Sequence, residues 1–136
     1  MDTRTMAIQA KKASILMQGV STESKNSALK KIADALLARK EEILEANRQD
    51  MERSTAENLA APLLKRLKFD EQKLNGVVEG IHSLIGLEDP VGKTLLAREL
   101  DDGLRLYRVS CPIGVIGIIF ESRPDALVQI STLCLK

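Results

Sequence analysis

The run that most narrows the fold is residues 113–120, Ile-Gly-Val-Ile-Gly-Ile-Ile-Phe. It carries no charge, is rich in β-branched side chains, and lies between Pro112 and the polar turn Glu121-Ser122-Arg123-Pro124. A strand without polar alternation is covered on both faces, and such strands belong to parallel sheets flanked by helices. Residues just past the carboxyl end of a strand in an open α/β sheet line the ligand crevice, which makes Glu121, Ser122 and Arg123 candidates for small-molecule contact. Pro124-Asp125 then opens a helical run to Lys136, with Leu127, Ile130, Leu133 and Cys134 expected on its buried face. Residues 111–136 thus predict one strand-helix unit.

Residues 1–88 predict a helical layer. Met6, Ala10, Ala13, Leu16 or Met17, and Val20 recur at three and four, and Gly19 is the expected stop. Ser21-Thr22 and Glu23 open a second helix through Leu29, Ile32, Ala33, Leu36 and Leu37. Ile43, Leu44, Asn47 and Met51 continue the period, as one long helix or as two joined near Arg39. Pro62 suits the first turn of a short helix with Leu63, Leu64 and Leu67. Asp70 can cap a further one, with Phe69 and Leu74 as a hydrophobic staple and a face of Leu74, Val77 or Val78, Ile81, and Leu84 or Ile85.

Residues 91–110 predict a β-hairpin. Asp101-Asp102-Gly103 separates two apolar-rich runs, and glycine accepts the positive φ of a tight turn. Alternation of Arg105, Tyr107 and Ser110 with Leu104, Leu106 and Val109 predicts one dry face and one wet or partner-facing face.

Bulk properties exclude several classes. With 20 basic and 19 acidic residues the net charge is +1, which provides no electrostatic draw toward nucleic acid or an anionic membrane. Aromatic residues make up 2% of the chain, so single-strand binding by base stacking has almost no material to work with. No run approaches the ~18 apolar residues of a membrane span. Two cysteines do not form a secreted disulfide scaffold, and the expected setting is the cytoplasm.

Individual residues carry competing readings. Gly114 and Gly117 lack a helix-opening position and a lysine, which favours close backbone approach in a sheet over phosphate cradling. His82 has no second ligand at metal spacing, and no metal is expected. Lys30-Lys31 and Lys65-Arg66 read as solvated helix faces with glutamates nearby, and Tyr107 as a packing residue with a wet hydroxyl. Glu121, Ser122 and Arg123 read either as a plain turn or as the rim of a site.

Asp89-Pro90-Val91-Gly92, Gly103-Leu104-Arg105-Leu106, Pro112-Ile113-Gly114-Val115-Ile116-Gly117 leading into Glu121-Ser122-Arg123-Pro124, and Leu133-Cys134-Leu135-Lys136 together resemble the glutamate-5-semialdehyde dehydrogenase (γ-glutamyl phosphate reductase) family of the aldehyde dehydrogenase superfamily. Lys25-Asn26, Ile32-Ala33-Asp34 and Glu45-Ala46-Asn47 extend the likeness toward the N-terminus. Ala61-Pro62-Leu63-Leu64-Lys65-Arg66-Leu67 and Arg123-Pro124-Asp125 are also similar to the reductase half of bifunctional pyrroline-5-carboxylate synthases.

The resemblance implies an α/β cofactor domain, a hairpin arm used in homo-oligomer formation, and NADPH-dependent reduction of L-glutamate 5-phosphate to L-glutamate 5-semialdehyde in proline synthesis. It implies cofactor contacts at Ile119, Phe120, Glu121 and Ser122, and substrate contacts at Ser122 and Arg123. Family members are longer and carry their nucleophilic cysteine later in the chain, so no catalytic residue is expected here and the chain alone is expected to be inactive. Cys111 and Cys134 are expected to be structural, as small apolar fillers. The other readings are a non-catalytic oligomer-interface module, pairing through residues 95–109, and an aldehyde dehydrogenase relative with another acyl substrate.

Overall fold

The structure of the chain, a computed structural model, describes residues 2–136. Its elements in order are α1 (Thr3–Met17), α2 (Thr22–Ala38), α3 (Lys40–Ala56), α4 (Ala61–Leu67), α5 (Glu71–Gly86), β1 (Thr94–Asp101), β2 (Leu104–Val109) and α6 (Pro124–Leu135). They fall into two compact units, Glu23–Leu87 with Ile118–Lys136, and Met1–Thr22 with Glu88–Gly117. Among the described residues the chain is therefore mostly helical with one two-stranded hairpin, in agreement with the helices expected from periodicity and the hairpin expected from the Asp101-Asp102-Gly103 turn.

The first of these units holds the core. Leu29 and Ala33 of α2, Phe69, and Leu74, Val77, Val78, Ile81 and Leu84 of α5 are all buried, with Leu29 and Leu74 fully enclosed. Burying a leucine side chain is worth about 1.5–3 kcal/mol, so these few positions supply most of what holds the helices together. Phe69 and Leu74 are the expected staple, and Asp70 caps α5 by accepting from the Lys73 amide at 3.1 Å. That amide, followed by the Lys68 ammonium, holds the Asp70 carboxyl below its ordinary range.

The long stripe through Ile43 resolves into two helices. Arg39 sits outside helical geometry at φ −105° and ψ 21°, and Glu41 and Glu42 occupy the first turn of α3, where carboxylates favour the helix dipole. Asn47, read as part of the apolar period, is buried because it serves the backbone. Its Nδ2 donates to the Leu67 carbonyl at 2.9 Å and its Oδ1 accepts from the Phe69 amide at 2.7 Å. One side chain thereby closes the turn from α4 to α5.

α6 packs against α5 through a face other than the expected one. Ala126 and Thr132 are buried, and Val128 and Leu135 lie against the core, whereas Leu127 and Leu133 are exposed. This helix is apolar on two sides, so periodicity alone could not choose between them. Lys136 is buried beyond it, its Nζ donating to Asn26 Oδ1 at 2.6 Å and to the Ile85 carbonyl at 3.2 Å.

In the other unit, α1 starts at Asp2, whose Oδ1 accepts from the Thr5 amide at 2.8 Å. Its expected stripe buries nothing, and Met6, Ile15 and Leu16 remain exposed. The hairpin pairs antiparallel, with Ala97 opposite Tyr107 and Glu99 opposite Arg105. Its turn contains Gly103 at φ +74°, and its base is tied by Ser110, whose amide donates to the Lys93 carbonyl at 2.9 Å and whose Oγ donates to the Pro90 carbonyl at 2.6 Å. The expected dry face is not found. Every residue of both strands is exposed, since neither side of this pair is covered by a second layer.

Residues 113–120 also depart from expectation. They form no ladder, and Ile113 and Ile119 are exposed. The two strands among the described residues pair with each other, leaving no partner for a third, and a strand without neighbours has neither hydrogen bonds nor cover. Gly114 has φ +100°, outside the strand region, and neither Gly114 nor Gly117 has an atom pressing on its Cβ position. Positive φ at Gly114, and not close approach, is what requires glycine there. The helical half of the expected strand-helix unit forms, and the strand half does not.

Candidate functional site

Ser122 sets the geometry of the turn before α6. It has φ +49°, a left-handed conformation that costs a residue with a Cβ about 1–3 kcal/mol and is retained only where surrounding structure imposes it. Arg123 follows at the cap position of α6 with an extended φ of −137°. Asp125, in the first turn, is mostly buried. Its Oδ1 accepts from the Ala126 amide at 3.0 Å and its Oδ2 stands 3.5 Å from Arg123 Nη2.

Arg123 and Asp125 line a surface recess of about 530 Å³ together with Lys65, Arg66 and Lys73. Lys65 and Arg66 come from the last turn of α4, and Lys73 from the first turns of α5, where its Nζ donates to the Lys68 carbonyl. The turn closed by Asn47 and capped by Asp70 is what brings these two helix ends to one place. Four cations face one carboxylate, so the recess is suited to an anion. Among the described residues neither Lys65 nor Arg66 is engaged in an ion pair or hydrogen bond, and the glutamate offset expected of them is absent.

Of the sequence-derived site residues, the structure places Arg123 in this recess, with Ser122 directly before it. Ile119, Phe120 and Glu121 are exposed and line no part of it. Lys65, Arg66 and Lys73 were not site candidates in the sequence, where only the Lys65-Arg66 pair stood out, as an ordinary helix face. Their convergence with Arg123, some fifty residues later in the chain, has no local signature.

Cys111 and Cys134 are both exposed, so neither is the apolar filler expected, and neither lines the recess. His82 is exposed, and no group of histidine, cysteine and carboxylate side chains among the described residues could hold a metal ion. No helix among them is long and apolar enough to cross a membrane.

No family model matches the chain. Among curated proteins, it is 69% identical over its whole length to the γ-glutamyl phosphate reductase of Ruminiclostridium cellulolyticum, of which it covers 32%. It is 66% identical, again over its whole length, to that of Acetivibrio thermocellus, also covering 32%. The chain thus spans about a third of the length of the curated relatives it matches. Among solved structures, γ-glutamyl phosphate reductase from Saccharomyces cerevisiae matches with a TM-score of 0.93 at 43% identity, over 99% of this chain and 35% of that one. The enzyme from Thermotoga maritima matches with a TM-score of 0.91 at 40% identity, over 95% of this chain and 31% of that one. In sequence and in fold alike, the chain is similar to about a third of the length of these γ-glutamyl phosphate reductases.

Proposed function

We propose that this chain forms part of an enzyme that reduces L-glutamate 5-phosphate to L-glutamate 5-semialdehyde, releasing phosphate, in proline biosynthesis. The observation that carries the reading is the 69% identity sustained over every residue of the chain. The nicotinamide cofactor, NADPH in this reading, supplies the hydride when bound. Ile119 and Phe120 fit its ring chemically, because both present apolar side chains to solvent just before a polar turn. Glu121 and the Ser122 hydroxyl provide polar contacts beside them, and Arg123 offers a planar fork to the substrate's charged oxygens. The setting that goes with this reading is the cytoplasm.

The test is an assay of a longer protein carrying this segment. Phosphate-dependent reduction of NADP⁺ with glutamate semialdehyde, the reverse direction, is the expected result. Equal rates with unrelated acyl substrates would favour a broader aldehyde dehydrogenase instead.

A second reading concerns the hairpin, residues 91–110. Leu95, Leu100, Leu104 and Leu106 are all about half exposed on strands with no cover, a pattern suited to pairing with another copy in a homo-oligomer. Light scattering of wild type and Leu106→Lys tests it. A smaller assembly in the variant supports the interface, and an unchanged mass counts against it.

A further inference from the structure

We infer that the recess lined by Lys65, Arg66, Lys73 and Arg123 is an oxyanion subsite that takes a phosphoryl group. This rests on the reductase reading and adds to it the place on this chain where the substrate's phosphate is held. Three separate pieces of backbone, α4, α5 and the turn before α6, deliver cations to one concavity. Against them stands a single carboxylate, Asp125, which is committed to the Ala126 amide and to the Arg123 guanidinium.

The arginines of α3 in the same unit are treated differently. On α3, Arg48 is paired with Glu45 and Glu52, and Arg53 with Asp50, each within a turn of helix. In the recess, Arg66 and Lys65 have no such partner although they are among like charges. Gathered cations repel one another, and an anion of higher charge than a carboxylate relieves that repulsion best. A phosphoryl dianion meets the surplus of three positive charges left after Asp125, four cations less one carboxylate. Asp125 engages the Arg123 guanidinium at Nη2, which leaves its Nε and Nη1 donors to meet phosphate oxygens. The strained φ of Ser122 fixes how Arg123 leaves the turn.

Two sources offer this chemistry, the acyl phosphate of the substrate and a phosphate of the cofactor. The first arm of the test titrates the chain with inorganic phosphate while following backbone amides by ¹⁵N NMR. Saturable shifts are expected at residues 65–66, 73, 123 and 125–126. The double variant Arg66→Gln/Arg123→Gln should weaken binding at least about tenfold, whereas Lys30→Gln on α2 should not. Shifts that never saturate, or that persist unchanged in the double variant, would overturn the subsite; circular dichroism confirms that the variant is folded.

The second arm measures kinetics in a longer reductase carrying this segment and the Arg66→Gln change. A raised KM for the acyl phosphate with an unchanged KM for NADPH assigns the subsite to the substrate, and the converse assigns it to the cofactor. Unchanged values for both overturn the subsite while leaving the reductase reading intact. No turnover by the unsubstituted enzyme overturns that reading, and the phosphate titration then decides the subsite by itself.

Discussion

The helical core around α5 and the stretch from β1 to residue 120 contain similar side chains in opposite circumstances. Leu74, Val77, Val78 and Ile81 are buried, whereas Leu100, Leu104, Leu106 and Ile119 are exposed. The difference lies in what each backbone needs. A helix satisfies its own hydrogen bonds, so an apolar stripe requires only a neighbouring helix to cover it. A strand needs neighbours for its amides and a second layer for its faces, and two strands by themselves provide neither in full. Apolar content therefore does not decide burial; the supply of partners does.

The largest effect that would test this contrast is on the core side. Leu74→Ala should cost about 2–5 kcal/mol in chemical denaturation, since its fully enclosed side chain leaves a cavity between α2 and α5. A loss no larger than that of a surface change would mean that the core is not where the stability resides. Next comes Asn47→Ala, expected to cost about 2–3 kcal/mol by leaving the Leu67 carbonyl and the Phe69 amide without their partner. Its sharper signature is local. The phosphate-induced shifts at Lys65 and Lys73 should weaken along with it, because the turn that brings α4 to α5 is released.

On the hairpin side, Leu100→Ser should change the stability of the isolated chain by no more than about 0.5 kcal/mol, because its side chain has little burial to lose. A loss as large as that of Leu74→Ala would show that the hairpin has cover in solution, and would break the comparison.

The smallest effect belongs to the solvated face of α3. Hydrogen bonds from Arg48, and then from Gln49, bring the Glu45 carboxyl down to about 2 from an ordinary 4.5. A depressed carboxylate contributes stability above its unfolded pKa and loses it as pH falls through the folded value. The Glu45 contribution should thus be complete above about pH 4.5 and fade toward pH 2, and a carboxyl ¹³C titration reads the midpoint directly. The pair is solvent-exposed, so added salt should move that midpoint back toward its ordinary value.

Much of the fold was legible because it is local. Asp70 as a cap, Phe69 with Leu74 as a staple, Pro62 in the first turn of α4 and Gly103 in the hairpin turn are each dictated by neighbours within a few residues. The break at Arg39 was narrowed to its position but not decided, since two helices in line keep the same period as one. Less was legible at the site. Arg123 was visible as the end of a turn, but Lys65, Arg66 and Lys73 acquire their meaning only from where Asn47 and Asp70 hold the α4–α5 turn. Asn47 itself looked like one more position in an apolar stripe.

The sequence by itself determined the helices, their caps, the hairpin and its turn, because these follow from side-chain period and backbone conformation over short distances. It also carried the resemblance to the reductases, on segments that run from Lys25 to Lys136. Only the tertiary structure decided which face of α6 is buried, which apolar residues have cover, and which four cations share a recess with one carboxylate. Those outcomes depend on residues far apart in the chain meeting in space, and pairwise proximity of that kind leaves no period or spacing to be read.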